Sequence, residues 1–312
     1  MVLNKFKSNL KHESIYFPNP KTNHMKAYLD IVKKILNQGI IKSNRTGVDT
    51  LAIAGAMFEH DMSEGFPLLT TKSVPFGLVA SELEFFIKGI TDKEWLKERK
   101  NFIWNEWCSP DKVPYSHDEA AKKKMSEERE LGPIYGWQWR NFGGKYDAYN
   151  KKPIVKGIDQ LKNIIKKIKE DPTDRRMIVT AWNPVDLKRM ALPPCHYGFQ
   201  ITVIENRINL LWNQRSVDTA LGLPFNIASY GLLLHLLAKE TGLKEGKLVG
   251  FLADTHIYVN HIDGMKEQLK RKPYPLPKIK TEDFKSIFDW QYTDSKVDDY
   301  QHHQRIKFEV AV

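Results

Sequence analysis

The stretch LPPCHYGFQ, residues 192–200, sets Cys195 behind two prolines and beside His196, in a chain of 312 residues whose other cysteine is Cys108. Such a cysteine is either a buried apolar filler or a nucleophile. The thiolate is far more reactive than the thiol, and nearby positive charge lowers the cost of forming it. Arginines occur in suitable patterns: Arg175 and Arg176 ahead of MIVTAW, and Arg215 in NQRSVDTALG. A guanidinium fork binds phosphate with good directional geometry. Several arginines around one exposed cysteine therefore suggest a small phosphate-bearing substrate, against a competing reading of surface ion pairs. Adjacency alone does not make His196 the base of Cys195, and no protease dyad follows from this spacing.

Three further groups carry chemistry. In SELEFFIKG, Glu82 and Glu84 cannot share one helical face. Glu82, in strongly apolar surroundings, is the carboxylate suited to organising water or moving a proton, with a salt bridge as the alternative. In GLPFNIASY, Asn226 is either a turn or N-cap residue or a reader of a heterocycle edge, since its amide both donates and accepts. In DTHIY, alternation along an extended segment puts His256 and Tyr258 on one side, suited to a sugar hydroxyl or to polar packing.

The elements that must position these groups are legible as patterns. MKAYLDIVKKILNQG has an apolar stripe of Tyr28, Ile31, Val32, Ile35 and Leu36, with Gly39 as the expected C-terminal turn. TLAIAGAMFEHDM reads as a strand and VPFGLVASELEFFIKG as a helix stopped by Gly89. KGIDQLKNIIKKIKED is amphipathic, its apolar side marked by Ile158, Leu161, Ile164, Ile165 and Ile168. RRMIVTAW is an expected strand, FQITVIENRINLLW a hairpin turning near ENR, NIASYGLLLHLLAKETG a central apolar helix ending at Gly242, and KLVGFLA a strand before a short helix near HIDGMKEQL. The chain is thus mixed α+β. There is no internal repeat, P-loop or dinucleotide-binding glycine fingerprint.

Length fits one large domain or two smaller ones. No run approaches a membrane helix. The first 24 residues lack the apolar core of a signal peptide and read as an N-terminal extension, leaving residues 25–312 as a single catalytic domain. Residues near 108–130 combine prolines with a charged, helix-compatible tail and read as a surface insertion. Neither cysteine lies in a CxxC pair, so a structural zinc site and a disulfide scaffold are unsupported, and a reduced, cytoplasmic setting is expected. The net charge of +10 comes from dispersed lysines and calls for no nucleic-acid partner.

Taken in order, NRTG, FPLLTTK, LGPIYGWQWR, RRMIVTAWNP, MALPPCH, QRSVD, GLPFNIASY and DTHIYVNH resemble the thymidylate synthase family, from Met25 to the C-terminal valine. The resemblance implies that family's α+β fold, with a large mixed β-sheet and surrounding helices, and a homodimer. It implies deoxyuridine monophosphate as substrate, 5,10-methylenetetrahydrofolate as cosubstrate and no metal. By resemblance Cys195 is the nucleophile toward C6 of the pyrimidine, and Glu82 organises proton transfer through water. Tyr135 and His196 belong to the surrounding hydrogen-bond network, and Asp218 binds the folate ring among the catalytic groups. Arg45, Arg215 and Ser216 bind the phosphate, joined by Arg175 and Arg176 from the opposite subunit. Gln214 supports the nucleotide site, Asn226 reads the uracil edge, and His256 and Tyr258 hold the deoxyribose hydroxyl. Trp104, Trp107 and Gly222 border the folate, and Val312 closes the site. Departures from the family pattern are Asn105 in NEW, Asn213 in WNQR, Ala220 in TALG and the terminus FEVAV. They leave a related product open, hydroxymethylation by water in place of methylation by hydride.

Overall fold

The computed structural model describes residues 25–147 and 156–310, so the N-terminal extension (1–24) and Val312 lie outside the described residues. In chain order the main elements are α1 (Lys26–Gln38), β1 (Ile40–Lys42), β2 (Thr50–Asp61), α2 (Phe76–Ile87), α3 (Glu94–Lys97), α4 (Glu119–Glu127), α5 (Tyr135–Asn141) and α6 (Gln160–Glu170). There follow β3 (Ile178–Thr180), β4 (His196–Ile204), β5 (Arg207–Asp218), α7 (Gly222–Thr241), β6 (Lys244–Tyr258), α8 (Ile262–Lys270), β7 (Lys278–Thr281) and β8 (Ser295–Asp298).

Six strands form one sheet in the order β1-β2-β6-β5-β4-β3, and β7 pairs with β8 separately. The β5–β6 pair is parallel and the others are antiparallel, which makes the sheet mixed. The parallel pair needs a crossover, and α7 supplies it. This helix is apolar on all sides, and its residues from Ile227 to Ala238 are buried without a break. Each fully buried leucine contributes about 2 kcal/mol, so the helix is fixed at the centre of the core. It ends at Gly242, whose φ of 71° is the left-handed stop expected there. The β4–β5 hairpin turns on Glu205 and Asn206, both at positive φ, as a two-residue primed turn requires.

Three local expectations change. Gly39 follows α1 in an extended conformation, not a left-handed one. A Cβ there would lie 2.5 Å from the Ile35 carbonyl and 2.7 Å from Leu51 Cγ, so close approach rather than turn geometry requires glycine. Ile158 precedes the Asp159 N-cap of α6 and is exposed, because the buried stripe begins only at Leu161. The RRMIVTAW strand shrinks to Ile178–Thr180, since Asp174 accepts from the Arg176 backbone and side chain and turns the chain away before it.

The two faces of the sheet differ. Helices α1, α6 and α7 pack against one, with α2 behind α7. Across the other runs the register row Met57–Phe251–Asn213–Gly198–Thr180, and Met57 and Phe251 are 58% and 44% exposed. Ile178, two residues along from Thr180 and so on the same face, is 57% exposed. Asn213 therefore lies on this open face, whereas its neighbour Gln214 points into the helix side.

The charged stretch 108–130 packs onto the body. Asp118 caps α4 through the backbone N–H groups of Ala120 and Ala121, and Met125 is buried. The buried Lys93 ammonium donates to the carbonyls of Met125 (2.7 Å), Trp107 (2.7 Å) and Asn105 (3.0 Å), tying the stretch to the loop that carries the tryptophans.

Candidate active site

Cys195 is the last residue before β4 and is held from three sides. Its backbone N–H donates to the Tyr135 hydroxyl at 2.8 Å, and its carbonyl accepts from the Arg215 backbone at 2.9 Å. The Arg215 guanidinium donates to the carbonyls of Pro194 (2.9 Å) and Pro193 (2.7 Å), and its Nη2 lies 3.7 Å from Cys195 Sγ. Proline fixes φ at both positions, which keeps two successive carbonyls within reach of one guanidinium. Burial pushes the thiol up, while the charges of Arg215 and then Arg45 draw it back toward the thiolate.

Tyr135 reaches the cysteine because α5 lies hard against α2. A Cβ on Gly136 would sit 2.6 Å from the Phe86 carbonyl, and the approach this glycine permits stacks Tyr135 on Phe86 at 4.8 Å. His196 also stacks on Tyr135, at 4.4 Å, and lies 6.3 Å from the Phe86 ring, with Nδ1 3.0 Å from the Tyr230 hydroxyl. Burial holds the imidazole down to about 3, so it is neutral at neutral pH and works as a hydrogen-bonding group rather than a cationic partner.

Glu82 and Glu84 separate as their spacing demands. Glu84 is buried, pairs with Lys88 and accepts the Tyr292 N–H at 2.9 Å, which is a structural role. Glu82 accepts a single bond from Trp104 Nε1 at 2.8 Å. Burial raises its carboxyl to about 7, against the pull of that bond. Trp104 packs edge-on against Tyr135 (6.1 Å) and Trp107 (6.3 Å). Glutamate, tryptophan pair, tyrosine and cysteine thus form one continuous wall.

Asn226 is not an N-cap. It is the fifth residue of α7, and its Oδ1 accepts from Gln214 Nε2 at 2.9 Å. Gln214 is buried and in turn accepts from Trp212 Nε1 at 3.1 Å, so the sheet fixes which way round the Asn226 amide sits. Gln214 also donates to the carbonyl of Ser216, one residue past Arg215 on β5. Asp218 ends β5 and accepts from the N–H groups of Ala220 (2.8 Å) and Leu221 (3.3 Å), turning the chain into α7. At Gly222 a Cβ would be 3.9 Å from both Asn226 Oδ1 and Asp218 Cβ, ordinary contact that the chain itself would tolerate. His256 and Tyr258 do share a side of β6, their rings edge-on at 5.3 Å, and His256 Nδ1 is 3.1 Å from Asp254 Oδ1.

A sequence profile described as Thymidylate synthase matches residues 26–312. The chain belongs to the thymidylate synthase family. It is therefore an enzyme of one-carbon transfer. Its relatives include the bifunctional dihydrofolate reductase-thymidylate synthase of Paramecium tetraurelia, 42% identical over 301 residues. That match covers 96% of this chain and 64% of the longer protein, so the chain spans just under two thirds of that relative. The thymidylate synthase of Mycoplasma pneumoniae is 43% identical over 300 residues, which cover 92% of this chain and the whole of that protein. Family and relatives support the synthase reading and not the hydroxymethylase one.

Within one chain of this family member, not every expected group converges. Arg175 and Arg176 are exposed at the start of β3, and Arg176 pairs with Asp174. Ile178 pairs with Gln200, five residues beyond Cys195 on the neighbouring strand, which is about 16 Å at strand rise. Arg45, on the β1–β2 loop, donates to the Tyr115 hydroxyl, and its charge lowers the Cys195 thiol after that of Arg215. Of the departures, Asn213 does not enlarge the site, since it lies on the open sheet face. Ala220 is fully buried, and its carbonyl accepts from Lys72. Lys72 closes the motif FPLLTTK and is a site neighbour that no pattern of spacing assigned. Burial brings its ammonium down to about 8, opposed by Asp218, and it sits 5.0 Å over the Phe308 ring. A lysine closing an apolar run was the available signal. Among the described residues, no cluster of three or more His, Cys, Asp or Glu is placed to hold a metal, and no helix is long and apolar enough to cross a membrane.

Proposed function

We propose that the chain converts deoxyuridylate and 5,10-methylenetetrahydrofolate into thymidylate and dihydrofolate through a covalent adduct on Cys195. The observation that carries the reading is the Arg215 guanidinium, which braces both prolyl carbonyls while standing 3.7 Å from Cys195 Sγ. One cation thus orients the nucleophile, lowers the cost of its thiolate and, with Arg45 and Ser216, faces a substrate phosphate.

The thiolate electron pair forms an S–C6 bond as the C5=C6 π pair moves toward C5 and O4. Asn226, held by Gln214, presents an amide whose N–H donates to O4 and whose carbonyl accepts from N3–H. His256 and Tyr258 meet the sugar hydroxyl. Glu82, with its carboxyl near 7, exists in both protonation states at neutral pH and relays a proton by way of water. The folate, when bound, supplies the one-carbon unit and the hydride. Trp104, Trp107, Asp218 and Gly222 are the residues suited to hold it. Among the described residues, Trp107 Nε1 and Asn105 Oδ1 are buried beside this wall without a hydrogen-bond partner, a feature that suits a polar ring. Val312 is the proposed closing residue.

A homodimer completes this reading, with Arg175 and Arg176 crossing to the partner's phosphate site. The exposed apolar row Met57–Phe251 and Ile178 supports it, since a sheet face of this kind on a lone chain is costly to leave in water. A cytoplasmic setting is supported by Cys108 and Cys195 being unpaired thiols.

The test supplies deoxyuridylate and 5,10-methylenetetrahydrofolate and identifies both products by mass spectrometry. Thymidylate with stoichiometric dihydrofolate is expected, and Cys195→Ser is expected to trap no nucleotide adduct. 5-Hydroxymethyldeoxyuridylate with tetrahydrofolate, or an adduct on Cys108, would overturn the proposal.

A further inference from the structure

The segment between Cys108 and Glu130 has no part in the chemistry above, yet one of its side chains touches a proposed phosphate ligand. Arg45 Nη1 donates to the Tyr115 hydroxyl at 3.1 Å, and the guanidinium carbon lies 5.4 Å from the centroid of the same ring. The residues are 70 apart in sequence, so the contact is purely tertiary. We propose that Tyr115 is a positioning residue, which holds the Arg45 guanidinium ready for the substrate phosphate.

Arg45 needs such a device. It stands exposed on the loop between β1 and β2, where a long side chain samples many rotamers that binding must freeze out. The loop backbone is already fixed. Asn44 accepts from the Thr46 N–H at 2.9 Å and hydroxyl at 2.7 Å, and donates to the Val48 carbonyl at 2.8 Å. Only the arginine side chain is left to order, and Tyr115 orders it. The bond uses one of five guanidinium N–H donors and leaves the others for phosphate. With the guanidinium on Tyr115, the Arg45 charge still favours the Cys195 thiolate, second to Arg215.

Tyr115 is itself well supported. His117 packs edge-on against it at 5.2 Å, and Asp118 N–H donates to the Ser116 hydroxyl at 3.1 Å as the chain enters α4. Helix α4 is anchored through the Met125 carbonyl to Lys93. A chain of contacts thus runs from the buried lysine to a guanidinium at the mouth of the site.

The inference rests on Arg45 binding phosphate, and its test separates the two claims. KM for deoxyuridylate and kcat are measured for Tyr115→Phe, Tyr115→Ala, Arg45→Ala and the double alanine variant, with melting curves for each. Tyr115→Ala removes hydrogen bond and ring face, so KM is expected to rise about tenfold with kcat changed less than about twofold. Tyr115→Phe keeps the ring face and is expected to cost about threefold. In the Arg45→Ala background the tyrosine substitution is expected to add nothing. If Arg45→Ala raises KM while both tyrosine variants leave it unchanged, the positioning role is wrong and the phosphate reading stands. A lower KM for Tyr115→Ala, or an equal loss with and without Arg45, overturns it as well. If Arg45→Ala itself leaves KM unchanged, the phosphate reading of Arg45 fails and the inference falls with it.

Discussion

Replacing Trp104 by phenylalanine removes the one hydrogen-bond donor on Glu82 among the described residues and keeps an aromatic ring in the wall. The bond is 2.8 Å long and charge-assisted when Glu82 is ionised. Such bonds contribute about 1.5–3 kcal/mol. Taking the lower end of that range, at about 1.4 kcal/mol per pKa unit the loss corresponds to about one unit. A bond to the carboxylate favours the charged form, hence its loss moves the carboxyl upward, from about 7 to roughly 8. If the ionised carboxylate is the working form, the acid limb of the kcat profile must move with it. At pH 7 the ionised fraction falls from about half to about a tenth, and above pH 9 wild type and variant converge. The assay is kcat against pH from 5.5 to 9.5 at saturating nucleotide and folate. An acid limb that stays put, or moves to lower pH, refutes the argument. So does a uniform loss at all pH values, which would make Trp104 a folate contact alone.

Glu82→Gln should stabilise the fold at high pH. A carboxyl raised from 4.5 to about 7 binds its proton more tightly in the folded chain, so the penalty is absent below pH 4.5 and complete above about 7. The variant should gain about 2 kcal/mol in urea unfolding at pH 8 and nothing at pH 4.5; equal gains at both would refute it. Asn226→Asp should cut the rate with deoxyuridylate at least tenfold and raise relative use of deoxycytidylate, because a carboxylate cannot donate to O4. Unchanged relative specificity in initial rates would return Asn226 to a packing role. Mixing Arg176→Ala with Cys195→Ala protein should restore up to about a quarter of wild-type activity, since half the subunits are heterodimeric and half of the sites in those are intact. Demonstrated subunit exchange without recovery would rule out a phosphate site shared between chains.

How much could be read without coordinates differs from residue to residue. Periodicity located α1, α2, α6 and α7, and the ENR turn, because each depends on contacts within a few residues. The order of motifs was enough to identify the family, confirmed by a match over residues 26–312. Glu82 and Glu84 were separable in advance, since two positions on a helix subtend about 200°. What the sequence left open at Asn226 was a choice between cap and reader. The packing of α7 against β5 excludes the cap, since Asn226 is the fifth residue of α7 and its Oδ1 accepts from Gln214 at 2.9 Å.

Asn213 shows the converse. It departs from the family pattern right beside Gln214 and Arg215, yet strand alternation turns it to the opposite face from Gln214. That register depends on pairing partners far away in the chain. The same holds for Lys72 beneath Ala220, for Lys93 gathering three carbonyls and for Tyr115 on Arg45. Local patterns are written in hydrophobic spacing, which a single segment carries by itself. Contacts between a loop and a distant side chain carry no spacing, and they come into being only when the core brings their elements together.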